Sequence, residues 1–428
     1  MTYKEAVDYI LDIPKFTPNN DLHHTKIFLE YLGNPQEGLK VLHVAGTNGK
    51  GSVCAYLDSM LRSEGKHTGL FVSPHLVKIN ERIIIDGVPI SDGSFCKVFE
   101  DALEAVKRMR DDGLEHPTFF EFLFGMAALA FGRAGVEYAV LETGLGGRLD
   151  ATNALDHPVV CAITSIGLDH MEILGNTLGE IAGEKAGIIK PGVPVFYASS
   201  SQESDEVIRR TAENRHCFCK KIGKDAYEIL GIQDKHIAFS CMNAYYGTTT
   251  WKLNNIGVYQ PGNAFLAMEI MRYLFGEKGH PDQWRRALAR VKWEGRMEEV
   301  LPDIYVDGAH NINAVEAFAQ SVPEDESGRI LLFSAVQDKD YVQMIRCLCS
   351  KVKADLYVVT QIRGSRAADA HMLGNVFKTE TDRPVKVIKS AREALSYVLS
   401  HRAGRKVYCL GSLYLTGMIK DICKQEVI

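Results

Sequence analysis

Two α/β domains are predicted by this sequence, each a parallel sheet covered by helices, the second smaller than the first. Three observations predict them. Short β-branched runs alternate with helical patterns along the chain, as parallel strands joined by crossover helices do. A glycine-rich turn, Gly46 to Ser52, joins an early strand to a helix. The alternation is interrupted at Trp293-Glu294-Gly295-Arg296 and then starts again. The boundary therefore falls near residue 295, giving domains 1–295 and 296–428. At about 150 residues per domain, a chain of 428 residues suits two or three.

In the first domain, Leu39 to Val44 reads as a strand, Ser52 to Ser63 as a helix and Thr68 to Val72 as a strand. Thr118 caps a helix over Phe119 to Arg133, because Glu121 at the third helical position completes a capping box. Strands follow at Glu137–Glu142, Val159–Ser165 and Val193–Ala198. From about Lys221 to Leu253 the strands shorten and the turns become polar, which predicts a small antiparallel insert. Helices follow Pro261-Gly262 and run from about Asp282 to Arg290. The second domain reads as strand Ile304–Val306, a helix from Asn313, and strand Ile330–Ser334. Helix Tyr341–Cys349, strand Leu356–Thr360, helix Ala391–Leu399 and strand Lys406–Leu410 complete it.

Composition narrows the function. Lys plus Arg is 49 and Asp plus Glu is 54, a net charge of −5. That is not the basic footprint of a nucleic-acid binder. The longest apolar run, about Phe122 to Phe131, is short of the roughly 18 residues a membrane span needs. The first residues, Met1-Thr2-Tyr3-Lys4-Glu5, lack an apolar export core. The 10 cysteines are scattered, with no CxxC, and neither Cys217/Cys219 nor Cys347/Cys349 has histidines at zinc-finger spacing. A reduced, cytoplasmic, monomeric protein with free thiols is expected.

The sharpest local signal is Gly46-Thr47-Asn48-Gly49-Lys50-Gly51-Ser52. A strand before it and a helix after it turn backbone N–H groups toward an anion, and Lys50 adds a full charge. The general phosphate-loop pattern has a magnesium-binding hydroxyl directly after the lysine; here that slot is Gly51. Another ligand is then needed, and Ser73 and Glu142, each at a strand end, are candidates. Alone, a strand-end serine such as Ser73 is more often a helix cap, and a strand-end glutamate such as Glu142 more often a salt-bridge partner.

Further blocks follow in order. They are Ser73-Pro74-His75-Leu76 with Asn80-Glu81-Arg82, Thr118-Phe119-Phe120-Glu121, Gly144 to Asn153 (GLGGRLDATN) and Leu168-Asp169-His170. Then come Glu184-Lys185-Ala186-Gly187 through Gly192, Asp307-Gly308-Ala309-His310-Asn311 and Gly411-Ser412-Leu413-Tyr414. With the shortened phosphate loop, this series resembles folylpolyglutamate synthase and bifunctional dihydrofolate synthase, members of the Mur ligase superfamily. The resemblance covers nearly the whole chain. It implies a P-loop ATPase domain like the Mur ligase central domain, followed by a smaller Rossmann-like domain. It also implies ATP-dependent attachment of L-glutamate to folate or dihydropteroate through an acyl phosphate. The alternative is a Mur-type ligase acting on a non-folate carboxylate.

The resemblance also implies roles. Asn48, Gly49, Lys50, Gly51 and Ser52 hold the ATP phosphates. Ser73 and Glu142 hold one magnesium ion, and His170 a second, next to the acceptor carboxylate. Lys185 matches a carbamylated lysine; read from residues alone, it is a helix-surface lysine pairing with Glu184 or Glu180. Asn263 matches an adenine contact and Arg296 a phosphate contact, the latter reading otherwise as an ion pair with Glu294 or Glu298. Asp307 suits the ribose, His310 nucleotide or glutamate, and Ser412 glutamate. Thr118, Phe119, Phe120, Glu121, Leu149, Asp150 and Ala151 match pteroate-binding segments. Asp150 reads otherwise as an Asx turn, and Phe119 and Phe120 as helix packing. The form LDATN is closer to the bifunctional enzymes.

Overall fold

The computed structural model describes all residues except 16–20, 234, 242–244, 248, 324–327 and 427–428. Its first sheet has eight strands. They are β1 (Lys40–Ala45), β2 (Thr68–Phe71), β3 (Ile83–Ile85), β4 (Val88–Pro89), β5 (Tyr138–Glu142), β6 (Val160–Ile163), β7 (Val195–Ala198) and β8 (Cys219–Ile222). The order is β4-β3-β2-β5-β1-β6-β7-β8. From β2 to β8 all neighbours run parallel.

The central strands are apolar on both faces because both faces are covered. Val41, Phe71 and Leu141 pack under helices Tyr3–Asp12, Leu22–Tyr31, Asp92–Asp111 and Phe119–Ala134. Leu42, Val44 and Val140 pack on the other side, under helices Lys50–Ser63, Gln260–Phe275 and Pro281–Arg290. Thr118 caps its helix through the expected capping box with Glu121.

Two expectations are corrected. The sheet is mixed, since β3 and β4 form antiparallel edge strands. Asp86 and Gly87, both at positive φ (48° and 79°), make the tight turn between them, and Asp-Gly is the sequence signal for such a hairpin. The insert also starts later than expected. Lys221 lies in β8 of the parallel sheet, and the antiparallel sheet is β9 (Tyr227–Gln233), β10 (His236–Cys241) and β11 (Thr250–Leu253).

The six-stranded sheet comprises β12 (Glu298–Leu301), β13 (Ile304–Val306), β14 (Arg329–Phe333), β15 (Leu356–Val359), β16 (Val385–Val387) and β17 (Lys406–Leu410). Its order is β12-β13-β17-β14-β15-β16, parallel except for the β12/β13 pair. The loops after β1, β5 and β6 of the first sheet and after β13 and β17 of the second line one cleft. Ligands collect outside the carboxyl ends of parallel strands in such folds.

Candidate active site

The cleft has a volume of about 850 Å³ and is lined from both sheets. Its floor is the phosphate loop. Gly49 sits at φ 91° as the residue before helix Lys50–Ser63, a conformation glycine adopts without strain. A side chain there would also collide with Asn263, whose Oδ1 would lie 2.5 Å from the added Cβ. Gly46 is as constrained, with Thr164 Oγ1 1.8 Å from where a Cβ would stand. The first-turn N–H groups of the helix therefore face the cleft along a surface free of side chains, the arrangement that binds phosphate.

Two lysines converge on one carbonyl oxygen of this loop. Lys50 Nζ donates to Gly46 O (3.1 Å) and Thr47 O (3.3 Å). Lys185 Nζ also donates to Gly46 O, at 2.8 Å. Lys185 is 4% exposed. Burial, reinforced by the Lys50 charge, pushes its pKa down to about 7. The helix-surface reading of Lys185 fails. Glu184 pairs with Arg148 at 2.8 Å, and Glu180 caps its own helix by accepting from Asn176 N and Thr177 N.

Ser73 and Glu142 meet: the Ser73 N–H donates to Glu142 Oε2 at 3.0 Å. Burial raises the Glu142 pKa, against the pull of Lys50 and Arg296. A buried carboxylate beside a serine and facing lysine and arginine offers hard oxygen ligands that fit magnesium. Among the described residues no three His, Cys, Asp or Glu side chains form a metal-holding group, so such an ion would draw further ligands from phosphate and water.

His170, the candidate second-magnesium ligand, lines the cleft. Its Nε2 lies 3.2 Å from Lys339 Nζ. Burial pushes its pKa down to about 4, so the ring is neutral. Lys339 also pairs with Asp169. Asp169 accepts from Asn311 Nδ2 (2.9 Å) and faces His310 Nε2 at 3.6 Å. Burial alone would raise the Asp169 carboxyl, but His310, Lys339 and His170 hold it well below the usual range. Asn311 also exchanges amide hydrogen bonds with Asn48 at 3.0 and 3.1 Å. Sequence reading left Lys339 out and gave Asn311, quoted within its block, no role of its own. A lysine between two aspartates just after a strand, Asp338-Lys339-Asp340, was the available signal.

The second-domain candidates reach the same cleft. Asp307 is 3% exposed, and its Oδ2 accepts from Tyr259 OH and Met297 N, both at 2.8 Å. Burial raises its pKa. Arg296 faces the cleft between Glu142 and Asp307; its expected partners Glu294 and Glu298 pair with Lys420 instead, at 2.8 and 2.5 Å. Ser412 is buried, and its Oγ accepts from Tyr414 N.

The pteroate segments are where the reading changes most. None of Thr118 to Glu121 or Leu149 to Ala151 lines this cleft. Glu121 accepts from Thr118 N (2.7 Å), Thr25 Oγ1 (2.7 Å) and His24 Nδ1 (3.3 Å), so Thr118 and Glu121 hold the helix start rather than offer free polar groups. Asp150 does what an Asx turn residue does: its oxygens accept from Gly144 N, Leu145 N, Thr152 N and Thr152 Oγ1. Ala151 belongs to the core. What remains open is apolar. Leu149 is 50% exposed. Phe119 lies under the Arg82 guanidinium at 5.4 Å. The Phe120 ring packs against Gly144, which lines the cleft.

Comparison with known proteins places these features. The domain family described as "Mur ligase, glutamate ligase domain" matches residues 295–413. The dihydrofolate synthase/folylpolyglutamate synthase of Bacillus subtilis is 35% identical over 438 residues, covering 99% of each chain. Mycobacterium tuberculosis folylpolyglutamate synthase, solved with ADP and AMPPCP, is 27% identical with a TM-score of 0.88 over 98% of both chains. E. coli FolC, solved with DHPP and ADP, is 26% identical with a TM-score of 0.85, covering 100% of this chain and 99% of that one. Full-length identity to the curated synthase, the shared fold and a phosphate loop facing a second Mur-type domain agree: the chain belongs to the folylpolyglutamate synthase/dihydrofolate synthase family of Mur ligases.

Proposed function

We propose that this chain is an ATP-dependent ligase that joins L-glutamate to folate-type carboxylates, extending tetrahydrofolate and also converting dihydropteroate to dihydrofolate. The carrying observation is the convergence of Lys50 and Lys185 on Gly46 O in a cleft that also holds the Ser73–Glu142 pair. ATP supplies the phosphoryl group that turns a carboxylate into an acyl phosphate, and magnesium neutralises the phosphates. The chain's own groups do the rest by position and charge. Asn48 to Ser52 cradle the phosphates, and Lys50 swings from the loop carbonyls to the bound anion. Ser73 and Glu142 would hold one magnesium ion. His170, neutral and beside Asp169, would hold a second.

Lys185 acts as a carbamate. Carbon dioxide adds only to a neutral amine, and a lysine near pKa 7 is substantially neutral at physiological pH, whereas an ordinary lysine is not. Arg296, Asp307, Asn263 and His310 hold nucleotide between the domains, and Ser412 borders the glutamate site. Phe119, Phe120 and Leu149 give the pteroate ring an apolar wall. Both halves of the cleft come from one chain, which supports a working monomer. Ten free thiols support a reducing, cytoplasmic setting.

The test is ADP release by purified protein given ATP, magnesium, L-glutamate and a panel of dihydropteroate, tetrahydrofolate and a non-folate Mur-type acceptor. Glutamate-dependent turnover with the first two is expected. Turnover with the non-folate acceptor alone overturns the folate reading.

A further inference from the structure

A second cavity, of about 820 Å³, opens from the active site. It shares Gly51, Ser73, Pro74, Glu142, Arg296 and Leu413 with the nucleotide cleft. From that seam it runs between helices Lys50–Ser63 and Pro281–Arg290. Trp293, packed against Gly51, stands between it and the phosphate loop.

The walls are firmly held. Glu64 fixes the start of helix Pro281–Arg290 by accepting from His280 N (2.8 Å) and Trp284 Nε1 (2.6 Å). Ser59 Oγ donates to Ala287 O at 3.3 Å. Gln283, Arg286, Ala287 and Arg290 then share one helix face, and that face lines the cavity.

The charge is one-sided. Each acidic group on the lining except Glu142 is spent on a partner of its own. Asp58 accepts from Arg62 (2.9 Å) and Thr68 Oγ1 (2.6 Å). Glu81 accepts from Leu76 N, Val77 N and Lys78 N. Glu294 pairs with Lys420. By contrast Arg286, Arg290 and Lys292 are exposed, line the cavity, and have no ion pair or hydrogen bond among the described residues. The space between them attracts anions, and in more than one place. Arg286 and Arg290 are four residues, roughly 6 Å, apart along the helix axis.

We propose that this cavity binds the oligoglutamate tail of long acceptors, a reading that rests on the ligase function proposed above. Whichever carboxyl group is activated, each added glutamate leaves one carboxylate free. A growing product is therefore an apolar ring on a lengthening polyanion. Its reacting end must stay at the Ser73–Glu142 seam, facing the phosphates. The earlier residues need a basic space continuous with that seam, and this cavity is such a space. Arg286 and Arg290 then set preference for chain length without touching the reacting atoms.

The test uses the full-length double variant Arg286→Glu/Arg290→Glu, two exposed sites whose reversal leaves the core intact. Acceptors are tetrahydropteroyl mono- and pentaglutamate, with fluorescein-labelled γ-pentaglutamate as a binding probe in the absence of ATP. The expected result is a KM for the pentaglutamate acceptor raised about tenfold, the scale expected when two exposed ion pairs with the ligand turn repulsive. KM and kcat for the monoglutamate, and KM for ATP, stay within about twofold. Probe binding by the parent protein weakens as salt rises, and the variant loses that binding. Equal effects on both acceptors, unchanged kinetics with both, or equal probe binding by both proteins overturns the proposal. Failure of the underlying reading is separate: the parent protein then shows no glutamate-dependent ADP release with either acceptor, whatever the probe does.

Discussion

Lys185 shows how one residue changes meaning with its surroundings. On a solvated helix it would stay charged and pair with a neighbouring glutamate. Buried beside Lys50 and held by Gly46 O, it is driven to about pKa 7, the state from which a carbamate forms. Lys185→Ala is therefore expected to keep ATP affinity within about threefold while turnover falls by at least about a hundredfold, since a lost metal-ordering group acts on the reacting phosphoryl. Protein equilibrated with carbon-13 dioxide should give a carbamate signal that the variant lacks, and that signal should fade below pH 7 as the amine protonates. Full activity in the variant returns Lys185 to a structural role. Asp150 changes in the opposite direction. Its carboxylate closes the loop after β5 with four hydrogen bonds. Asp150→Ala should cost about 3 kcal/mol of stability, because buried donors are left unpaired. Activity with every acceptor should fall together as the protein melts earlier. A selective loss with dihydropteroate, measured well below the melting temperature, would restore Asp150 to the pterin edge.

At the scale of elements, the phosphate loop works because two strands and two helices agree around it. Thr164, directly after β6, stands against Gly46, and helix Gln260–Phe275 supplies Asn263 against Gly49. Gln260 ties that helix to Ser52 Oγ at 3.2 Å. β1 carries an unusual member, His43, 1% exposed, with Nε2 2.8 Å from Thr152 Oγ1. Burial pushes its pKa down to about 3. The unfolded chain, with histidine near 6.5, binds this proton first, so between pH 6.5 and 3 stability falls as pH falls. The loss approaches about 5 kcal/mol at pH 3 and is absent above pH 6.5. In urea titrations His43→Gln should therefore show an acid limb shallower by about one proton, roughly 1.4 kcal/mol per pH unit. Identical slopes in the two proteins would mean that His43 is protonated in the fold.

For the whole molecule, the decisive contacts cross between the sheets. Asp169 after β6 meets Lys339 after β14, Asn48 meets Asn311, and Tyr259 donates to Asp307. Each joins a loop beside the cleft to the opposite domain, so residues that line the cleft also hold the two domains together. Lys339→Met leaves Asp169 with Asn311 and His310 but without its ammonium partner. Removing one partner of a buried pair costs about 3 kcal/mol. The expected outcome is a lower denaturation midpoint and a larger radius of gyration by X-ray scattering. An unchanged midpoint and scattering profile would show that the pair does not hold the domains.

What the sequence by itself determined was local. Gly46 to Ser52 between a strand and a helix, the Thr118–Glu121 capping box and the α/β alternation on both sides of residue 295 are readable because each depends on neighbours in the chain. The ordered motif blocks carried the family for the same reason. Tertiary structure decided everything that depends on burial or on a distant partner. Lys185 and Glu184 are adjacent in sequence, yet one is buried under the phosphate loop and the other pairs with Arg148 at the surface. Lys339 acquires its role only by meeting Asp169, 170 residues away. Glu121 is legible as half of a capping box, but its further partners Thr25 and His24 lie more than ninety residues away in the chain. Charge, desolvation and hydrogen bonding act over a few ångströms of space, and chain order does not record which groups folding brings that close.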